Sequence, residues 1–178
     1  MEYIVTNCIV HGVLDAIQPN SYGLLMKNEL IAVMLGTKEK FPKIWQPKEL
    51  QPIQGQVAVN YFSLMADMQL GAMSKSQGRM KGYQLVTCRV FCVKNELRGK
   101  GIAAALLSAS VTNAQKEGAE AFFFTAPNKA SQQLASKINL KEYNYIKYES
   151  YSRDFPMYKK LEDKEEMCKG YLALFKPF

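Results

Sequence analysis

The chain has one histidine, His11, and four cysteines, Cys8, Cys88, Cys92 and Cys168, in 178 residues. The cysteines show no metal-ligand spacing, and a single imidazole adds little, so no metal is expected. The same scarcity argues against Ser-His-Asp and Cys-His nucleophilic mechanisms. Cys88 and Cys92 lie four apart within one predicted strand, which would put both on the same face. All four thiols are expected to be reduced and mostly buried as small hydrophobes.

Long apolar runs are missing as well. No stretch approaches the roughly 20 residues that span a bilayer. The opening residues, Met1-Glu-Tyr-Ile-Val-Thr-Asn7, lack the basic start and apolar stretch of a signal peptide. The expectation is a cytoplasmic protein with no membrane partner. Nor is there an arginine-rich arm. The 23 Lys and Arg exceed the 16 Asp and Glu, giving a net charge of +7, but they are spread along the chain. Net charge speaks weakly about partners. A polyanionic small molecule explains a local basic mouth as well as nucleic acid would, and no nucleic-acid partner is expected.

What is present is an ordinary globular composition, 48% hydrophobic, at a length that fits one domain over residues 1–178. Residues 22–27 and 29–35 read as a hairpin around Asn28, and 37–55, with Pro42, Pro47 and Pro52, as loop. Val57, Tyr61, Leu64, Met65 and Met68 recur at helical spacing over 56–73. Gly78 to Gly82 reads as a turn. A strand follows at Leu85–Val93, then a helix from about Gly101 to a C-cap near Gly118. Ala121–Thr125, with three consecutive phenylalanines, reads as a strand buried on both faces. Lys129–Lys137 is a predicted short helix started by Asn128, and Leu140–Tyr148 a strand. Residues 149–169 read as charged loop and Tyr171–Phe175 as the last strand. There is no internal repeat and no linker.

The stretch from Val90 to Leu107 carries the chemistry. An apolar strand, Val90-Phe-Cys-Val93, leads through Lys94-Asn-Glu-Leu-Arg98 to Gly99-Lys-Gly101 and opens onto the helix Ile102-Ala-Ala-Ala-Leu-Leu107. Glycines at 99 and 101 allow positive φ and put no side chain between backbone and ligand. The first N–H groups of the helix lack internal partners and lie at the positive end of its dipole. Arg98 and Lys100 add full charges, so a phosphate or diphosphate is the natural guest. The P-loop string Gly-x-x-x-x-Gly-Lys-Ser/Thr is absent. Gly99-Lys-Gly101-Ile-Ala-Ala104 matches the dinucleotide pattern G-x-G-x-x-A. Five residues, however, separate it from its strand, and Glu120 precedes the next strand instead of closing it.

A third pattern, Arg/Gln-x-x-Gly-x-Gly/Ala, is met by Arg98-Gly-Lys-Gly101-Ile-Ala103. With the strand before it and the helix after it, this stretch closely resembles motif A of the GNAT N-acetyltransferases. The resemblance runs from the hairpin near Tyr22 to the C-terminus. Ser131-Gln-Gln-Leu-Ala-Ser-Lys-Ile-Asn-Leu140 and Ile146-Lys-Tyr-Glu-Ser-Tyr151 resemble the arylalkylamine branch of insects and nematodes. Asn139-Leu140 replaces that branch's Gly-Phe, and Ser150 its aspartate.

The resemblance implies an α/β fold with a mixed, mostly antiparallel sheet, splayed at the centre and flanked by helices. The family's N-terminal strand and helix portion would here be shortened, or this chain would be an incomplete version. The implied activity is acetyl transfer from acetyl-coenzyme A to a primary amine, such as an arylalkylamine. Polyamine or protein-lysine acetylation, or a non-catalytic acyl-coenzyme A binding module, are the alternatives. The implied donor contacts are Phe91, Cys92 and Val93 for the pantetheine arm. Arg98, Gly99, Lys100, Gly101, Ile102 and Ala103 would take the diphosphate. A backbone N–H near Cys92 or Val93 would steady the oxyanion. Many members carry a tyrosine acid where Ala135 stands, so that acid is absent. Ser131 is the implied catalytic residue, relaying a proton or protonating the departing thiolate; a helix-capping hydroxyl is its other reading. Cys92 reads as packing in preference to an acyl carrier. Tyr143, Tyr145, Tyr148 and Tyr151 would line an aromatic acceptor pocket, or stand as ordinary sheet residues.

Overall fold

The computed structural model describes residues 20–41, 56–152 and 166–176. The readings made above for Cys8, His11, the 42–55 stretch and residues 153–165 lie outside these. In chain order the elements are β1 (Tyr22–Met26), β2 (Glu29–Lys40), α1 (Gln56–Lys75) and β3 (Gln84–Val93). A 3-10 turn at Asn95–Leu97 leads to α2 (Ile102–Lys116), β4 (Ala121–Ala126), α3 (Lys129–Lys137), β5 (Lys141–Lys147), a short α4 (Tyr148–Ser152) and β6 (Met167–Leu174).

Local chemistry explains most of these boundaries. Lys27 and Asn28 both take positive φ, 51° and 64°, the requirement of a two-residue hairpin turn whose twist matches its strands. Helix α2 ends where Gly118 turns left-handed, with Gly118 N–H bonded to Gln115 O and Ala119 N–H to Ala114 O. Helix α3 closes the same way without glycine: Asn139, at φ 62°, takes the position that the arylalkylamine branch gives to Gly.

Among the described residues six strands form one sheet in the order β1-β2-β3-β4-β6-β5. Among its strand pairs only β3 and β4 run parallel, joined by the crossover through α2. This is the mixed, mostly antiparallel sheet that the resemblance implies. Helices α2 and α3 cover one face with Leu106, Leu107 and Ala135, against Val86, Phe122 and Phe124. Helix α1 covers the other with Leu64, Met65 and Met68, against Leu85, Phe123 and Leu172. The three phenylalanines alternate between the two cores at 0–3% exposure. Each contributes about 1.5–3 kcal/mol of burial.

Three expectations need correction. Residues 37–40 are strand, paired from Thr37↔Thr87 to Lys40↔Gln84, because β3 supplies a ladder that a Thr-Lys-Glu-Lys string does not announce. The 149–169 stretch contributes the end of α4 and the start of β6, so it is not all loop. Cys88 and Cys92 do not share a face. The β2–β3 register skips one residue, Arg89, and this bulge reverses the alternation, leaving Cys88 buried and Cys92 exposed.

Two tests follow from the packing. At Gly170 an added Cβ would sit 2.2 Å from Asn144 Oδ1, 2.9 Å from Met68 Cε and 3.0 Å from Phe123 Cζ. Gly170→Ala is expected to cost about 1–3 kcal/mol by urea denaturation, and an unchanged midpoint would contradict this packing. Burial also pushes the Cys88 and Cys168 thiols from 9.0 up to about 12. A thiol that stays protonated only when folded contributes stability that is whole below about pH 9 and lost as pH rises toward 12. The unfolding free energy from urea denaturation should hold to about pH 9, then fall by on the order of 1 kcal/mol per pH unit per thiol. Cys168→Ala should make that fall shallower.

Candidate functional site

Strands β3 and β4 stay together for four residue pairs, Leu85↔Ala121 to Cys88↔Phe124, and then part. Beyond Phe124, β4 continues its pairing with β6 alone, Thr125↔Gly170 and Ala126↔Lys169. Beyond Cys88, β3 continues its pairing with β2 alone, from Leu35↔Val90 to Ala32↔Val93. A seam therefore opens at the carboxyl end of the central pair, between the α2 face and the α1 face.

The main chain lining this seam follows from the ladder. Lys94 N–H donates to Ile31 O at 2.9 Å. The two-residue alternation of an antiparallel pair then directs the Cys92 amide and carbonyl toward β2, and those of Phe91 and Val93 into the seam. The Phe91 ring meets Phe124 edge-on, with centroids 6.1 Å apart and planes at 83°, which closes the seam's lower end on the α2 side. The exposed Cys92 side chain points to the opposite, α1, face.

The turn beyond β3 is built as an anion cradle. Gly99 and Gly101 take φ 77° and 81°. Their ideal Cβ positions meet nothing within 4 Å, so conformation alone requires glycine there and the space above stays open. Gly101 caps α2 with no side-chain partner, and the first helical bond is Ala105 N–H to Gly101 O at 3.1 Å. The amides of Gly101 to Ala104 are thus the unpaired donors of the helix start. The Arg98 amide is already used, bonding Asn95 O at 3.2 Å, so Arg98 can offer its guanidinium and not its N–H. Its Nε donates to Val93 O at 3.3 Å, tying the turn to the end of β3. Lys100 is exposed beside it, and Ile102 and Ala103 are half-buried against the core. Lys94 is paired with Glu29 and with Glu96, the latter at 3.3 Å.

Ser131 sits in the first turn of α3 in a reciprocal cap. Its N–H donates to Asn128 Oδ1 at 2.9 Å and its hydroxyl to Asn128 O at 2.8 Å, while Asn128 N–H donates to Ser131 Oγ at 3.2 Å. Because β4 runs parallel to β3, α3 begins at the same end of the sheet as α2. The positive ends of both helix dipoles face that region.

Tyr143, Tyr145 and Tyr148 do not converge. Tyr148 is fully buried and donates to Pro127 O at 2.7 Å. Tyr143 packs in the α1 core with the Lys75 ammonium 5.8 Å from its ring centroid. Tyr145 is exposed, and the Tyr151 side chain lies outside the description. A cleft of about 630 Å³ beside Tyr145, Ile146, Lys147, Glu149 and Ser150 lies at the outer strand, with β6 between it and the seam. Its place on a strand that does not border the seam makes it a poor acceptor pocket. Among the described residues, no three of His, Cys, Asp and Glu are grouped to hold a metal, and no helix is long and apolar enough to cross a membrane.

One residue at the seam escaped the sequence reading. Arg89 was unmarked because an arginine inside an apolar strand gives no local sign of a bulge; the signal lies in Glu39, 50 residues away.

Comparison with known proteins agrees with this geometry. Residues 37–139, more than half of the chain, match the profile of the acetyltransferase (GNAT) family. No curated protein sequence matches the chain. Arylalkylamine N-acetyltransferase 2 from Aedes aegypti is similar in structure, with a TM-score of 0.78 at 18% identity, over 94% of this chain and 78% of that one. A mosquito arylalkylamine N-acetyltransferase-like 5b gives 0.62 at 16% identity, over 82% and 69%. A polyamine N-acetyltransferase of Drosophila melanogaster, which forms N-acetylagmatine, gives 0.68 at 10% identity, over 93% and 79%. At such identities the likeness is one of fold.

The cradle generates a direct test. Gly101→Val places a β-branched residue at φ 81°. It is expected to weaken coenzyme A binding by at least about tenfold in a calorimetric titration. Unaffected affinity would contradict the phosphate role.

Proposed function

This chain belongs to the acetyltransferase (GNAT) family, and from that premise we propose that it transfers an acetyl group from acetyl-coenzyme A to a primary amine by direct attack. The observation that carries the proposal is the continuity of seam and cradle: Phe91 and Val93 main-chain groups on one side, unpaired helix amides behind a two-glycine turn on the other. A donor with a diphosphate, an extended amide-bearing arm and a terminal thioester matches that order of parts. The diphosphate would rest on Gly99 to Ala103, with Arg98 and Lys100 supplying full charge. The arm would lie along Phe91, Cys92 and Val93 as an added strand. The bound donor would supply an activated acyl group; the chain would position it, and a main-chain N–H near Cys92 or Val93, that of Val93 by its direction into the seam, would steady negative charge on the acyl oxygen.

The donor would enter from the α2 face, so the amine must meet it at the α1 face. An alkylamine has a pKa near that of lysine, and freeing its lone pair at pH 7 spans about 3 units, roughly 4 kcal/mol. Removal of that proton through a base or water chain is worth a large rate factor. Ser131 is the proposed donor to the departing thiolate: its hydroxyl stands at the positive end of α3, and its proton would turn from Asn128 O to the sulfur.

The acceptor class we favour is an arylalkylamine, supported by the Ser131–Leu140 and Ile146–Tyr151 resemblances and by the activities that the two mosquito relatives carry in their names. Polyamines are the second reading, suggested by the Drosophila relative. We place the reaction in the cytoplasm.

The test is thiol release from acetyl-coenzyme A with tryptamine, tyramine, spermidine and a lysine peptide. Turnover highest on the aromatic amines is expected; turnover on spermidine alone would move the acceptor class, and tight donor binding with no turnover would favour a binding module. Ser131→Ala should cost about 1 kcal/mol of stability through the lost cap. As proton donor it should also lower kcat by about a hundredfold with little change in KM, whereas an unchanged kcat would leave it a capping residue.

A further inference from the structure

The β2–β3 ladder runs in step from Lys40↔Gln84 to Gly36↔Cys88, and again from Leu35↔Val90 to Ala32↔Val93. Arg89 is the residue left over. Val86 and Cys88 before it pack toward α2, as do Phe91 and Val93 after it. Without the extra residue, Phe91 and Val93 would bond to β2 and the seam would be lined by other groups, since a one-residue slip exchanges the two sides of a strand.

The side chain of Arg89 holds that register from the α1 face. Its Nη2 donates to both Glu39 oxygens at 2.8 Å and its Nε to Thr37 Oγ1 at 3.1 Å. Glu39 Oε1 also accepts from Thr87 Oγ1 at 3.1 Å and from Gln69 Nε2 of α1 at 3.2 Å. Both charged side chains are nearly buried, at 11% and 9% exposure. In the ladder Glu39 lies opposite Leu85, so the guanidinium reaches backward along β3, past Thr87. A slip of one residue would move it by about 3.3 Å and break every one of these bonds. A buried ion pair is weak evidence for stability, because apolar pairs of similar volume often serve as well; its better-attested use is to specify register.

We propose that Arg89 is a positioning residue for the acyl donor: clamped to Glu39 and Thr37, it fixes the bulge that turns the Phe91 and Val93 main chain into the seam. This rests on the donor reading given above. It predicts that the clamp matters for the arm of coenzyme A and not for its nucleotide end, which sits on the turn beyond.

The experiment compares wild type with Arg89→Met/Glu39→Leu, a pair that leaves no unpaired charge, by calorimetric titration with coenzyme A and with its fragment 3′-phosphoadenosine 5′-diphosphate. The double variant also removes the Glu39 acceptor from Gln69 Nε2 and Thr87 Oγ1, so it is expected to fold with a lowered melting temperature and to keep wild-type affinity for the fragment. It should bind coenzyme A about tenfold more weakly, the loss of one to two net hydrogen bonds. Should it fail to fold, Thr37→Val removes only the Nε acceptor and is expected to weaken coenzyme A by about twofold to threefold with the fragment unchanged. Coenzyme A affinity equal to wild type in a folded variant would overturn the inference alone. Equal losses for both ligands would overturn it too, making the pair general support. A wild-type protein that binds neither ligand would overturn the donor reading, and the inference with it.

Discussion

The structure turns on the parting of β3 and β4 after Cys88 and Phe124. A continuous parallel pair would satisfy its own backbone and leave nothing for a ligand. Parting leaves amides and carbonyls without a strand partner at the centre of the molecule, where a sheet normally pairs them. Everything at the candidate site is placed relative to that seam: the turn at its mouth, α2 and α3 starting at its carboxyl end, and α1 behind it. The cost of separation is met by stronger pairing on the outer sides. β3 leans on β2 along nearly its whole length, and β4 on β6.

Electrostatics reinforce the same end of the molecule. The parallel pair makes both following helices begin there, so two dipoles and two cationic side chains, Arg98 and Lys100, converge on one mouth. The net charge of +7 is spread along the chain, and position makes the local field. Lys94 is already paired with Glu29 and Glu96, which withdraws one cation from that mouth.

Much of the fold was legible in the residues. The hairpin at Asn28, the α2 cap at Gly118, the α3 start at Asn128 and the doubly buried Phe122–Phe124 strand each follow from a few neighbouring side chains. The cradle was legible for the same reason, since two glycines before an alanine-rich helix state their conformation locally. Residues 37–40 were misread because their strand is imposed by β3 and not by their own preferences. Tyr143, Tyr145 and Tyr148 read either as pocket lining or as ordinary sheet residues, and the irregularity between Glu142 and Asn144 and the start of α4 send them to different surroundings.

The sequence by itself determined the strand, glycine turn and helix of the anion cradle, because φ preferences and orphan helix amides depend on residues next to one another. Only the tertiary structure decided which side of β3 faces the seam. That choice rests on one extra residue, Arg89, held by a carboxylate 50 positions earlier in the chain, and no local pattern encodes a register set across such a separation.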